Sequence, residues 1–464
     1  MISTTQKLLW QTSEPGLSKV WTVAEVNHQR IVELTLLLLA AFITLTTVAV
    51  AAVAETTDID WVAIPYLAVL LLLWTVSHLS LRKWAPTANG LLFPISALLQ
   101  GIGVAFVLRI NPELLTGHLI WSAFATCGFI TVIAGISDLN RLQKFQKSLG
   151  LAGLVLISIP VVMKLIDGGI GSYRSLRIGS VATHPGQLGT LCLIIFFAGW
   201  LATYRSRNTA EHLGQTEPLE GDPSRFISLI GAWLLTSITV IFQSDVSSAF
   251  VLVAIFLSMW WVAVGRPLDL AIFLAATIGS VLLALTSVPE LQDRFAAWTD
   301  PWSNPQFGEV INRSTFALAG GGLTGTGPGE GSADWVVGAT DQFAFIPIAE
   351  ELGFIGASAI LSSFLLLTGV ALRLSTIARR EFEGLSAIGI AIFFASQAWA
   401  PIAVALRLLP PNDISLPFIS SNGSALFTCS VALALLLKIS ETVSPKADPT
   451  EILPRVTSES EGTP

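Results

Sequence analysis

Three carboxylates lie where a polar stretch of this chain gives way to an apolar one. Residues 320–356 read GGGLTGTGPGEGSADWVVGATDQFAFIPIAEELGFIG, with Asp341 at the seam and Glu350 and Glu351 inside the apolar part. Charge at a water–lipid boundary is expensive to keep, so it needs a partner or a reaction. An aspartate half out of water and near basic groups can act as a general base, provided it is ionised and within reach of the proton it takes. The same position suits a helix N-cap, and the two roles are compatible. Glu350 and Glu351 read either as ligand-contacting groups or as structural partners of an arginine or a backbone amide.

Five arginines, Arg174, Arg177, Arg294, Arg313 and Arg407, fall in loops on the same side as Asp341 by the span count below. A planar guanidinium matches phosphate oxygens two at a time, so such a set can clamp a diphosphate. Snorkelling or anionic headgroups explain any single one equally well. The run LPFISSNGS at 416–424 puts Pro and Gly into an apolar stretch, which implies a broken helix start. Irregular backbone at membrane depth is tolerated where it lines a cavity, and Ser420, Asn422 and Ser424 could there bind the polar end of a ligand. Small polar residues also serve helix packing.

Other groups read more simply. The glycines of GGGLTGTGPGEG are not a phosphate loop, since no GK[ST] follows. His184 precedes Pro185 and reads as a loop or cap residue, because no second His or Cys stands at metal-ligand spacing. Asp245 fits a tight turn. Cys127, Cys192 and Cys429 each sit in a separate apolar run, where cysteine packs as a small residue. No metal site is expected from these spacings.

The elements that must hold these groups are membrane helices. Of 464 residues 52% are hydrophobic and only 12% charged, with a mean hydropathy of +0.70. A soluble domain carries about twice that charge. Apolar runs long enough to cross a bilayer recur at about 31–53, 61–81, 91–108, 119–136, 149–166, 187–204, 226–242 and 246–264. A ninth ends near 288, and three more cover about 343–372, 387–406 and 416–439. The expectation is an all-α polytopic bundle of about twelve transmembrane helices. A lead-in at 1–30 precedes it, a large polar loop at 289–340 interrupts it, and a disordered tail at 441–464 follows. Basic residues at 82–83, 141–147, 205–207, 266 and 373–380 all fall on one face. The positive-inside bias makes that face cytoplasmic, together with both termini, and puts loops 167–184, 243–245, 289–340 and 407–415 outside. The net charge of −7 says little here, since part of it comes from the polar tail, and no nucleic-acid partner is expected.

Seven segments, spread over about 84–440, carry a resemblance. They are GSYRSLRIGS (171–180), HPGQ (184–187), FQSDVSSAFVL (242–252), DPWSNP (300–305), GGGLTGTGPGEG (320–331), TDQFAFIPIAEELGFIG (340–356) and LPFISSNGS (416–424). In this order between spans they resemble the SEDS family of bacterial membrane proteins (shape, elongation, division and sporulation), which includes FtsW, RodA and SpoVE. The resemblance implies a ten-helix core with two added N-terminal helices at 31–83. It implies a peptidoglycan glycosyltransferase that polymerises lipid II at the outer face of the cytoplasmic membrane, with a class B penicillin-binding protein as partner. Asp341 matches the family's essential aspartate, so it would activate the acceptor sugar hydroxyl for an inverting attack. Arg177 and the other outside arginines would neutralise the diphosphate, with a divalent cation (Mg or Mn) as a conceivable helper.

The chain also departs from the family pattern. Gln187 stands for glutamate, Thr190 for lysine, Ser175 for tryptophan, Ser244 for proline and Asn422 for glycine, and one extra residue separates Asp341 from Glu350. These changes suit a divergent paralogue with altered substrate use. A reading from a different class is a non-catalytic transporter of lipid-linked precursors, or a scaffold for a division or elongation partner.

Overall fold

The computed structural model describes residues 23–56, 63–166, 176–178, 181–212, 230–235, 237, 246–304, 307–332 and 335–443. The lead-in up to 22, the tail from 444, most of the expected span at 226–242, and Arg174, Ser175, Ser244 and Asp245 lie outside them. The described helices are α1 (Val23–Thr56), α2 (Ala63–Trp84), α3 (Leu92–Ile110), α4 (Glu113–Gly135), α5 (Leu139–Lys144) and α6 (Gln146–Ile166). A hairpin of β1 (Leu176–Ile178) and β2 (Val181–Thr183) leads into α7 (Pro185–His212). There follow α8 (Val246–Ala263), α9 (Pro267–Ser287), α10 (Pro289–Thr299), α11 (Gly308–Gly321), α12 (Phe345–Ile377), α13 (Glu381–Ala405) and α14 (Gly423–Val443).

Nine of the described helices are long and apolar enough to cross a membrane, and α6 and α8 carry shorter apolar stretches. These described helices agree with an all-helical bundle of about twelve. The hairpin, antiparallel with Arg177 opposite Ala182, is a small β element that hydropathy did not foresee. Prolines open α7, α9 and α10, where the missing N–H has no helical partner to lose. Burial sorts the helices. Most of the apolar window of α14 (83%), α13 (78%), α3 (67%) and α7 (61%) is inside, against 22% for α1 and α12, so the first four form the centre and the last two lie at the periphery.

Tertiary contacts separate two ends. At one, Arg380 pairs with Asp138 at 3.4 Å, Arg205 with Glu381 at 3.3 Å, and Lys438 donates to the Trp84 carbonyl at 3.0 Å. These join the connectors rich in Lys and Arg. At the other, the loops around 184, 320–344 and 407–422 meet. The α1–α2 pair is fastened by Arg30, which donates to the carbonyls of Ala85 (2.8 Å), Pro86 (3.1 Å) and Ala88 (2.7 Å) and pairs with Glu33. His78 closes the set on Glu33 at 2.7 Å.

Candidate active site

Asp341 sits in a turn before α12. Its N–H donates to the Gly338 carbonyl at 3.0 Å, and Gly338 holds a φ of +81° that a side chain rarely adopts. The helix begins later, with Ala344 as N-cap and no side-chain cap, so Asp341 is not a capping residue. Its Oδ1 instead accepts a short hydrogen bond from Ser415 Oγ. Burial pushes the Asp341 carboxyl above the usual carboxylate range, while the Ser415 hydroxyl and, when its ring is protonated, His184 act in the opposite direction.

Ser415 belongs to the segment between α13 and α14. The sequence reading of a broken helix start holds here, since α14 begins only at Gly423 and residues 411–422 are irregular. This segment packs against backbone. A Cβ on Gly103 of α3 would meet the Ile419 carbonyl oxygen at 2.3 Å, so only glycine lets α3 approach so closely. The Ser421 N–H donates to the Thr340 carbonyl at 2.7 Å and ties the segment to the Asp341 turn. Asn422 Nδ2 donates to Ser415 Oγ at 3.1 Å and to His184 Nδ1 at 3.2 Å. Ser424 Oγ donates to Asn422 Oδ1 at 3.0 Å, and the His184 N–H donates to Ser424 Oγ at 2.9 Å. Asp341, Asn422 and Ser424 are thus brought together, with Ser420 buried on the same segment.

Glu350 and Glu351, both buried, face the glycine-rich loop. Glu351 pairs with Arg109 at the end of α3, and its Oε2 accepts the Gly329 N–H at 2.9 Å. Glu350 Oε1 accepts the Ser332 N–H at 2.9 Å, and Arg109 Nη2 donates to the Gly331 carbonyl at 2.7 Å. The loop also uses the backbone of α12. Thr326 and Gly327 donate to the carbonyls of Glu350 and Glu351, both at 3.0 Å. Those carbonyls are available because Gly353, at φ +63° and ψ −166°, breaks the helix there.

The arginines divide. Arg294 of α10 is buried and pairs with Asp413 (2.8 Å) and Glu290 (3.0 Å), donates to the Pro411 carbonyl (3.1 Å) and lies over the Phe307 ring. It lines an open apolar cleft with Leu291, Phe295, Leu409 and Ile414, one residue before Ser415. Arg313 is half-exposed and pairs with Glu309. Arg407 is exposed, with a left-handed φ of +59°. Of Arg177 only the backbone is described. Among the described residues no group of three or more His, Cys, Asp or Glu is arranged to hold a metal ion.

Arg109 and Ser415 did not stand out in the sequence, and His184 read there only as a loop or cap residue. Arg109 had a visible signal, a cation at the last turn of an apolar span. Ser415 had none, since its partner lies 74 residues away.

The fold is similar to that of a peptidoglycan synthase complex that coordinates polymerization and crosslinking, with a TM-score of 0.60 at 21% identity over 77% of this chain and 98% of that one. The chain is 29% identical over 428 residues to the peptidoglycan glycosyltransferase RodA of Mycobacterium leprae, covering 89% of this chain and 91% of the relative. It is 28% identical over 390 residues to the probable peptidoglycan glycosyltransferase FtsW of Aliivibrio salmonicida, covering 82% and 91%. The family model for the FtsW, RodA and SpoVE cell cycle proteins matches residues 90–444. This multi-pass membrane protein therefore belongs to the FtsW/RodA/SpoVE family.

Proposed function

We propose that this protein is a peptidoglycan glycosyltransferase that polymerises lipid II, with Asp341 as its general base. The observation that carries the reading is the placement of Asp341. It is an acid outside the helix ladder, bonded by Ser415 within a polar cluster at one end of the bundle. Relatives along nearly the whole chain bear the name of this activity. The lysines and arginines of the connectors lie at the opposite end, which supports an outer-face location for Asp341 and cytoplasmic termini.

In this reading Asp341 takes the proton of the acceptor sugar hydroxyl as its oxygen attacks the anomeric carbon of the lipid-linked donor. The new glycosidic bond forms as the bond to the diphosphate breaks, with inversion. The leaving group already carries its charge, so neutralisation matters more than protonation. Arg174, Arg177 and the exposed Arg407 are the candidates for that work, with Arg313 at the rim. Arg294, held by Asp413 and Glu290, borders the apolar cleft, which suits the polyprenyl part of a lipid-linked substrate. Glu350 and Glu351 act on substrate indirectly, by fixing the glycine-rich loop. Ser420 is a candidate for a sugar contact. The similarity to a synthase complex supports a class B penicillin-binding protein as partner.

The test uses purified protein, its transpeptidase partner and labelled lipid II. Asp341→Ala is expected to reduce glycan synthesis by about 10²- to 10⁴-fold, the usual range for losing a general base. Wild-type polymerisation by Asp341→Ala would remove the base assignment, whereas no glycan from the wild-type protein with its partner would leave the transporter or scaffold reading in its place.

A further inference from the structure

Asn422 stands where the family pattern has glycine, so its side chain adds contacts that glycine lacks. Neighbours fix its amide. Oδ1 accepts from Ser424 Oγ at 3.0 Å and from the Ala425 N–H at 3.3 Å, which turns Nδ2 toward Ser415 and His184. An amide NH₂ can only donate. Ser415 Oγ, 3.1 Å away, therefore receives one of its protons, and the serine's own proton goes to Asp341 Oδ1. His184 Nδ1 receives the other at 3.2 Å, and its ring is anchored because the His184 N–H bonds Ser424 Oγ. Ser415, Asn422 and Ser424 are all buried, so water does not compete freely for these bonds.

A hydroxyl constrained to donate favours an ionised carboxylate over a neutral one. The titratable groups facing this chain are few among the described residues. Asp341 is at one end, and His184, neutral where its Nδ1 accepts from Asn422, is at the other. His118 of α4 lies close to the Ser421 backbone. On the strand side, β1 pairs Arg177 with Ala182, two residues before His184.

We propose that Asn422 and Ser415 are positioning residues, forming a one-way chain of hydrogen bonds, anchored on His184, that holds Asp341 as an anion. The inference rests on the assignment of Asp341 as the base. It explains how a carboxyl disfavoured as an ion by burial still stands ready to accept a proton: the chain opposes the burial.

The experiment measures kcat/KM for lipid II polymerisation by the full chain with its transpeptidase partner, over about pH 5 to 9. Variants are Ser415→Ala, Ser415→Thr, Asn422→Gly and Asp341→Asn. Ser415→Ala and Asn422→Gly are expected to move the acid limb to higher pH. The loss should be roughly tenfold at the acidic end and shrink to within about twofold on the alkaline plateau. Ser415→Thr, which keeps the hydroxyl, should retain the wild-type limb. The inference is overturned if Ser415→Ala and Asn422→Gly lose the same factor at every pH or are inactive throughout. It is equally overturned if their limb coincides with the wild type, or if Ser415→Thr shifts as Ser415→Ala does. Asp341→Asn separates the two levels. Its inactivity upholds the base whatever the other variants do, and its full activity removes the base itself.

Discussion

Asp341 and Glu351 are both carboxylates near the start of α12, yet their surroundings give them different work. Asp341 has a hydroxyl donor and a histidine across a hydrogen-bonded chain, but no cation bonded to it among the described residues. Its carboxyl is held above the ordinary range, so polymerisation should decline, as pH falls, at a higher pH than an unperturbed aspartate would give. A base needs that state, ionised yet able to hold a proton. Glu351 is bonded to a guanidinium and a backbone N–H, which suits a structural tie. Arg109→Ala should therefore leave a buried carboxylate without its cation and destabilise the protein by about 3–5 kcal/mol. Thermal melts in detergent micelles report it, and an unchanged melting temperature would contradict the buried pair. Arg109→Met with Glu351→Met should recover much of the loss, because no lone charge remains inside.

At the scale of elements, two broken helices build the site. The break in α12 at Gly353 frees the Glu350 and Glu351 carbonyls for the glycine-rich loop, while the Phe354 and Ile355 N–H groups bond Gly322 and Leu323 at 3.0 and 3.2 Å. Loop and helix thus complete each other's hydrogen bonding, as buried backbone requires. A Cβ at Gly353 would meet the Gly325 nitrogen at 2.2 Å, and φ at +63° disfavours any side chain. Gly353→Ala is expected to cost roughly 2–5 kcal/mol, as strain and overpacking add. Limited proteolysis would show it as cleavage within 321–332; a variant as resistant as wild type would mean that the loop does not depend on this kink. The second break, before α14, carries its own strain in Phe418, at φ +65°. It delivers Ser415 and Asn422 to Asp341, which a continuous helix could not do.

The whole molecule has two chemically different ends. One gathers cationic connectors joined by Arg380–Asp138 and Arg205–Glu381. The other gathers the Asp341 cluster, the glycine-rich loop and the α10–α11 region, where Trp302 (76% exposed) and Trp335 (70%) face outward. With the first end in the cytoplasm, a membrane-impermeant maleimide applied to intact spheroplasts should label Trp302→Cys and spare Arg373→Cys. The background for this must lack Cys127, Cys192 and Cys429. Labelling of Arg373→Cys from outside, with Trp302→Cys protected, would invert the proposed orientation.

Much of this architecture was legible in the sequence because hydropathy is a local property. Runs of apolar residues announced the spans, Pro and Gly at 416–424 announced the break before α14, and basic residues sorted the connectors onto one face. The place of Asp341 just before a span was legible too, since an acid there stands out by its cost. Tertiary structure alone decided the partners. Ser415 meets Asp341 from 74 positions away and Asn422 meets His184 from 238, distances over which no periodicity operates. Position could not tell a cap from a reactive acid at Asp341, nor a ligand contact from a loop tie at Glu350 and Glu351. Each choice depends on which donor the fold brings within about 3 Å, and hydrogen bonds are too short-ranged to be read from spacing along a chain.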